Sequence, residues 1–167
     1  MTFTPRTWTV GEVVSATMLN TEIRDQFNSM FAAWTAYTPT WASSGTQPSL
    51  GNGTLAGRYM KIGRTVEVYI ALTWGSTTTP GTAGYTLSLP FQAAASLPGG
   101  LTATCTTTGS VNAIGGWVTV GNSATTTGNI WIASPSTIGD WNVWGAGTPT
   151  LAAGDVVRVY GTYQSAS

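Results

Sequence analysis

Two periodicities divide the chain. Over residues 15–34 (SATMLNTEIRDQFNSMFAAW) the apolar positions Leu19, Ile23, Phe27 and Phe31 return every fourth residue, with Met30 and Trp34 toward the same side and Asn20, Glu22, Arg24, Asp25 and Asn28 mostly elsewhere. That spacing predicts an amphipathic helix. Ser15 or Thr17 can cap its amino end by accepting a bond from a free backbone N–H, and Pro39 marks where the chain becomes extended by barring Thr38 from helical geometry. From Tyr37 onward the period is two. In TVEVYIAL, Val66, Val68 and Ile70 point one way and Glu67, Tyr69 and Ala71 the other. Further runs of this kind are YTLSL (85–89), LTATCTTT (101–108), GGWVTV (115–120), NIWIA (129–133) and VVRVYGTY (156–163). Pro80, Pro90, Pro98, Pro135 and Pro149 fall between them, as ladder hydrogen bonding requires. Asn52-Gly53 tolerates positive φ and predicts a hairpin turn.

Short strands with turn signals between them predict a mainly β chain, an antiparallel β-sandwich of jelly-roll-like type preceded by a short α-helix. The expected organisation is a segment 1–36 holding the helix and a head domain 37–167. An isolated helix of this length is marginal in water, so its apolar face needs a partner. Two partners are open: the following domain, or other copies of the chain through a short heptad seam of Ala16, Leu19, Ile23, Gln26, Met30 and Ala33, with Phe27 beside it.

Composition changes the picture mainly by what it removes. Only 7% of the 167 residues are charged and none is histidine, while eight are tryptophan; a soluble domain ordinarily has about 25% charged residues. Such a chain keeps itself in solution with Thr, Ser, Asn and Gly, or hides surface in an oligomer. Formal net charge is zero, and the basic cluster Arg58, Lys61 and Arg64 reads as a solvated strand face rather than the basic stripe nucleic acid requires. No apolar run is long enough to insert in a membrane. The start, MTFTPRTWTVGEVV, lacks the pattern of a secretory signal, so the expectation is a protein made in the cytoplasm that stays there or leaves within an assembly released by lysis.

Candidate chemistry is sparse. Cys105 is the single cysteine, expected as an inert buried thiol, and no spacing suggests a metal or cofactor site. GNGTLAG (51–57) lacks the spacing and the following helix of a phosphate loop. General acid–base work draws on histidine or tuned carboxylates. In the β-domain the carboxylates are Glu67, Asp140 and Asp155, with nothing in the sequence to pair any two across one bond as a glycosidase needs. The expectation is no enzyme and no cofactor. Carbohydrate binding is the stronger chemical reading, because sugars present apolar C–H faces and a rim of hydroxyls. Asp140-Trp141-Asn142-Val143-Trp144 supplies flat aromatics beside hydrogen-bonding side chains, and Trp131 alternates with Ile130 and Ile132, hence toward the outer face. The competing reading fills a core or a subunit interface with the same rings.

Two blocks carry a resemblance: WTVGEVVSATMLNTEIRDQFN (8–28), and YTPTW (37–41) followed by GNGTLAGRYMKIGRTVEVYIALTWGSTTTPG (51–81) and SLP (88–90). Both resemble segments of tail-fibre, minor-tail and other surface-appendage proteins of tailed bacteriophages, particularly those of actinobacteria. The resemblance covers roughly half the chain; residues 101–167 match no such motif. It implies a virion surface protein whose first 36 residues attach to other virion proteins or trimerise, and whose β-domain projects outward. The expected function is a short fibre or spike that attaches to host glycan, as a homotrimer. A capsid decoration or head-fibre protein and a free carbohydrate-binding module are the alternatives.

Overall fold

Alternating Val, Ile and Thr residues extend the chain into strands whose two faces differ in polarity. The structure, a computed structural model, describes residues 7–96, 99–108, 113–133, 141–143 and 150–166. The strands are β1 (Thr35–Tyr37), β2 (Trp41–Ser43), β3 (Thr54–Ile62), β4 (Thr65–Thr73), β5 (Tyr85–Leu87), β6 (Gly100–Thr106), β7 (Ala113–Thr119), β8 (Ile130–Ala133), β9 (Trp141–Val143) and β10 (Val156–Gln164). The chain is mainly β. An eight-stranded sheet runs in the order β1-β3-β4-β10-β6-β7-β8-β9, and β2 and β5 form a second, small sheet. All the pairings between these strands are antiparallel.

The alternation expected in 65–72 is what the sheet uses. Val66, Val68, Ile70 and Leu72 are at most 1% exposed, while Glu67 is exposed and Tyr69 and Ala71 are half-buried. The same inner face collects Leu101, Ala103, Cys105, Val118, Ile130, Val157 and Val159, and Tyr85, Leu87 and Leu89 close over it from β5 and the residues after it. Trp41 of β2 packs edge-on against Tyr85 and Trp74, at 5.2 and 5.4 Å between ring centroids. The result is a sandwich of unequal layers, one face of the large sheet covered and the other open.

The hairpin turn lies elsewhere than the sequence suggests. Ile62 pairs with Thr65, so the two-residue loop is Gly63-Arg64, with Gly63 at φ +58°. Asn52-Gly53 leads into β3 instead. There the Asn52 side chain clamps a neighbouring loop, its Oδ1 accepting from the N–H and hydroxyl of Thr77 at 2.9 Å each and its Nδ2 donating to Ser76 Oγ at 3.0 Å. The basic cluster is dispersed as well, because alternation sends its members to different places. Lys61 Nζ lies 4.4 Å from the Phe91 ring centroid and Arg64 Nε donates to the Ser165 carbonyl at 3.1 Å, while Arg58 stays on the open face.

The contacts divide the chain into two units between Ala33 and Trp34. In the first, Ser15 caps the helix by accepting the Met18 N–H at 3.2 Å. The helix then runs as α1 (Ala16–Leu19), a π-helical segment (Asn20–Arg24) and α2 (Asp25–Met30). It stops at Phe31, where φ is −109° and ψ 9°, short of the expected end at residue 34. Trp34 therefore lies beyond the helix, immediately before β1, which pairs with β3 from Thr35↔Tyr59 to Tyr37↔Gly57. Among the described residues, no helix is long and apolar enough to cross a membrane.

Asp155 ties the turn before β10 and is 2% exposed. Its carboxylate accepts the Thr108 N–H at 2.5 Å and the Ala152 N–H at 2.7 Å. Burial pushes its pKa up, but these bonds outweigh burial and hold it below the ordinary aspartate value. Stabilisation from Asp155 is thus complete above about pH 4 and is lost as pH falls through the lower folded-state pKa. Asp155→Ala is expected to cost about 1–3 kcal/mol, measured by urea unfolding at pH 7, and to flatten the loss of stability that the parent chain shows on acidification.

Candidate functional site

Strand alternation selects which side chains reach the open face, and register then decides which of them meet. The paired positions Arg58↔Tyr69, Tyr69↔Tyr160, Tyr160↔Thr102, Thr102↔Trp117 and Trp117↔Trp131 run without a break across β3, β4, β10, β6, β7 and β8. At about 4.8 Å per strand, the row from Tyr69 to Trp131 is roughly 19 Å long. Its members lie opposite in phase to the buried Ile70, Val159, Ala103, Val118 and Ile130.

The rings are arranged in two pairs. Tyr69 and Tyr160 have centroids 6.5 Å apart and planes 28° apart; Trp117 and Trp131 are at 6.0 Å and 12°. Parallel rings in full contact would stand at about 3.5–4.0 Å, so both pairs are slid past one another and keep uncovered ring surface. Trp117 is 44% exposed and Tyr160 38%. Thr102, between the pairs, is exposed and contributes a hydroxyl.

The bed beside the row is low. The parallel line Ala71↔Arg158↔Thr104↔Gly115 consists mostly of small residues, and a side chain at Gly115 would meet nothing within 4 Å. Arg158, the large member, is tethered through Nη1 to Thr106 Oγ1 at 3.0 Å. At the β3 end, the Arg58 guanidinium lies 6.0 Å from the Tyr69 ring centroid, and Trp34, Arg58 and Tyr69 line a shallow groove of about 320 Å³.

Of the residues singled out from sequence for sugar contact, Trp131 is in this row. Trp141 and Asn142 lie in β9, opposite Ala133 and Ile132; their side chains, and Asp140 and Trp144 altogether, fall outside the described residues. Sequence reasoning passed over Trp117, Tyr160, Arg58 and Trp34. A signal for the first two was present, since Trp117 precedes the buried Val118 and Tyr160 follows the buried Val159.

The helix residues proposed for self-association are all exposed except Gln26. Leu19, Ile23, Phe27 and Met30 are 43–58% exposed. The π-helical segment rearranges them: the Asp25 N–H reaches back five residues to the Asn20 carbonyl. Such a turn holds one extra residue and retards the following face by about 100°. A four-residue repeat, which drifts about 40° per step in an α-helix, is thereby brought back toward one line through Leu19, Ile23 and Phe27. Gln26 turns out of the heptad phase, and its Nε2 donates to the Thr21 carbonyl at 3.0 Å.

No described pair of carboxylates in the sheet can flank one bond. Glu67 and Asp155 are seven residues apart along the β4–β10 ladder, about 24 Å. Cys105 is fully buried, and burial, with the nearby Asp155 charge, pushes its thiol up to about 11 against the opposing pull of Arg158. Among the described residues, no group of three His, Cys, Asp or Glu side chains could hold a metal. What the open face can do chemically is stack. An aromatic ring carries a negative face, complementary to the polarised C–H groups on one side of a pyranose.

Because the rings lie on the surface, Trp117→Ala and Trp131→Ala are each expected to lower stability by only about 1 kcal/mol, the size of an aromatic pair contribution, whereas Ile70→Ala in the core should cost about 2–5 kcal/mol. Urea unfolding of the three variants checks this; equal losses would make the tryptophan pair part of the core. Comparison of the chain with family models, curated proteins and solved structures gave no match.

Proposed function

We propose that this chain is a non-catalytic attachment protein on the surface of a bacteriophage particle, binding host-envelope carbohydrate with the open face of its sheet. The observation that carries the reading is the continuous row Tyr69, Tyr160, Thr102, Trp117, Trp131. Two ring pairs, with centroids 6.5 and 6.0 Å apart and Thr102 between them, offer an extended glycan a stacking surface on a spacing comparable to one sugar residue, and the Tyr and Thr hydroxyls supply hydrogen bonds at its margins. Single-stranded nucleic acid also stacks on aromatic rows, but it requires a basic groove along its phosphates. This face carries Glu67 as well as Arg58 and Arg158, on a chain of zero net charge. The phage-surface location rests on the resemblance of residues 8–28, 37–41, 51–81 and 88–90.

The helix has the assembly role in this reading. A homotrimer joined along Leu19, Ile23 and Phe27 would present three sheets at once, and several weak sugar contacts multiply when linked. Attachment to other virion proteins is assigned to the same first 36 residues.

Two measurements test the proposal. Purified protein should bind actinobacterial host cells and compete with phage adsorption, and Tyr69→Ala/Trp117→Ala/Trp131→Ala should reduce binding at least tenfold while keeping the native circular dichroism spectrum. Undiminished cell binding by the variant overturns the sheet face as the recognition surface, and binding to emptied capsids without effect on adsorption would point to decoration. The native mass of the full chain at micromolar concentration should be that of a trimer, falling to a monomer in Ile23→Asp/Phe27→Asp. A monomeric parent removes the assembly role.

A further inference from the structure

The two ends of the aromatic row differ in charge. The far end, Trp117 and Trp131, is a stacked uncharged pair. The near end is the groove lined by Trp34, Arg58 and Tyr69. The basic residues of the sheet unit are otherwise occupied: Lys61 lies over Phe91, Arg64 donates to the Ser165 carbonyl and Arg158 to Thr106. Arg58 is exposed and, among the described residues, holds its guanidinium against the Tyr69 ring rather than a carboxylate.

We propose that this groove is an acid-sugar subsite, in which a uronate ring lies between the walls of Trp34 and Tyr69 and its carboxylate takes the Arg58 guanidinium. The assignment deepens the glycan reading above and rests on it. A guanidinium presents a planar fork that matches a carboxylate bidentately, and that pairing is stronger and more directional than a contact to a neutral hydroxyl. A groove of about 320 Å³ is at the small end of ligand sites, sized for one sugar rather than a chain. The remainder of the glycan then runs outward from this anchor over Tyr69 and Tyr160 toward Trp117. A charged subsite at one end of an uncharged row makes the two directions of the bound chain unequal, so the face selects an acidic polysaccharide and its polarity. Among the described residues Glu67 is the acidic residue facing the same side, diagonal to Arg58 where Met60 pairs with Glu67 and equally diagonal to Tyr160 where Thr162 pairs with Glu67. It opposes a carboxylate at either position, and the Arg58 guanidinium is what favours one over the other.

The experiment titrates the full-length ¹⁵N-labelled protein with D-glucuronate, its methyl ester, D-glucose and sodium sulfate, following the Arg58 Nε–H and the indole N–H signals of Trp34, Trp117 and Trp131. Glucuronate is expected to shift Arg58 and Trp34 together, at least tenfold more tightly than the ester or glucose, and Arg58→Gln should remove that preference while leaving the Trp117 and Trp131 responses to hyaluronan in place. Arg58→Lys should restore part of it. Equal affinity for glucuronate and its ester overturns the acid-sugar subsite but leaves the glycan reading standing. An Arg58 shift with sulfate as large as that with glucuronate also overturns it, showing a general anion contact. If hyaluronan and the monosaccharides leave every one of these signals unmoved, or oligothymidylate binds more tightly than hyaluronan, both readings fall together.

Discussion

The register of the last strand is the constraint on which the rest depends. β10 lies between β4 and β6, pairing with β4 from Val156↔Thr73 to Gln164↔Thr65 and with β6 from Val156↔Thr106 to Tyr160↔Thr102. It joins the β3–β4 hairpin to the β6–β9 meander, and without it the large sheet is two pieces. A one-residue slip would turn Val157, Val159 and Tyr163 out of the core and carry Tyr160 into it. The same register holds the aromatic row together, because Tyr160 is the link between Tyr69 on one piece and Thr102, Trp117 and Trp131 on the other. Stability and the alignment of the aromatic row are thus two consequences of one ladder. Its pairings are long-range in sequence, so the loop-closure cost of joining residues 65–73 to 156–164 precedes any gain from burial, which places this domain among the slower-folding β topologies.

An open sheet face with so few charges needs a reason not to associate at random. Here the aromatic rings of β4, β10, β7 and β8 on that face fall on one line, flanked by Ala71, Thr104 and Gly115, while Ile62 is exposed on the same face near the end of β3. Threonine does much of the remaining work: a β-branched stem suits the strand and the hydroxyl meets water. The strands at the two edges of the large sheet, Thr35–Tyr37 and Trp141–Val143, are three residues each, and short edges limit pairing with other chains. A surface built this way suits many copies held close together, where like charges would repel.

How much of this was legible in the sequence follows from the range of each interaction. The alternation in 65–72 and 156–163 is local, so the buried Val and Ile residues could be read directly, as could the outward phase of Trp131; of the two cap candidates, Ser15 and Thr17, the helix uses Ser15. The hairpin at Gly63-Arg64 was missed because Asn52-Gly53 carries the stronger local turn signal, and what it does instead, clamping Ser76 and Thr77, depends on a loop some 25 residues away. The helix overran its end in the sequence reading because Trp34, four residues after Met30 and three after Phe31, falls on the same side as the apolar repeat; pairing of Thr35–Tyr37 with β3, a tertiary effect, takes the chain into the sheet instead. The row itself could not be read at all. Each member was visible as an outward residue of its own strand, but their alignment depends on strand order and register, and the insertion of β10 between β4 and β6 has no local signature.

The π-helical segment shows the same limit at shorter range. A four-residue repeat of Leu19, Ile23, Phe27 and Phe31 is poorly matched to 3.6 residues per turn, and a heptad reading resolves the mismatch by choosing Gln26 and Met30 for the seam. The backbone resolves it differently, widening by one residue between Asn20 and Arg24 so that the repeat and the helix come into phase. The Gln26 amide, bonded to Thr21, lies within that wider turn and satisfies a carbonyl there. An extra residue of this kind is costly to keep in a short exposed helix unless the aligned side chains have something to pack against. Leu19, Ile23 and Phe27, each 43–58% exposed, are the side chains so aligned, and the proposed assembly would cover them.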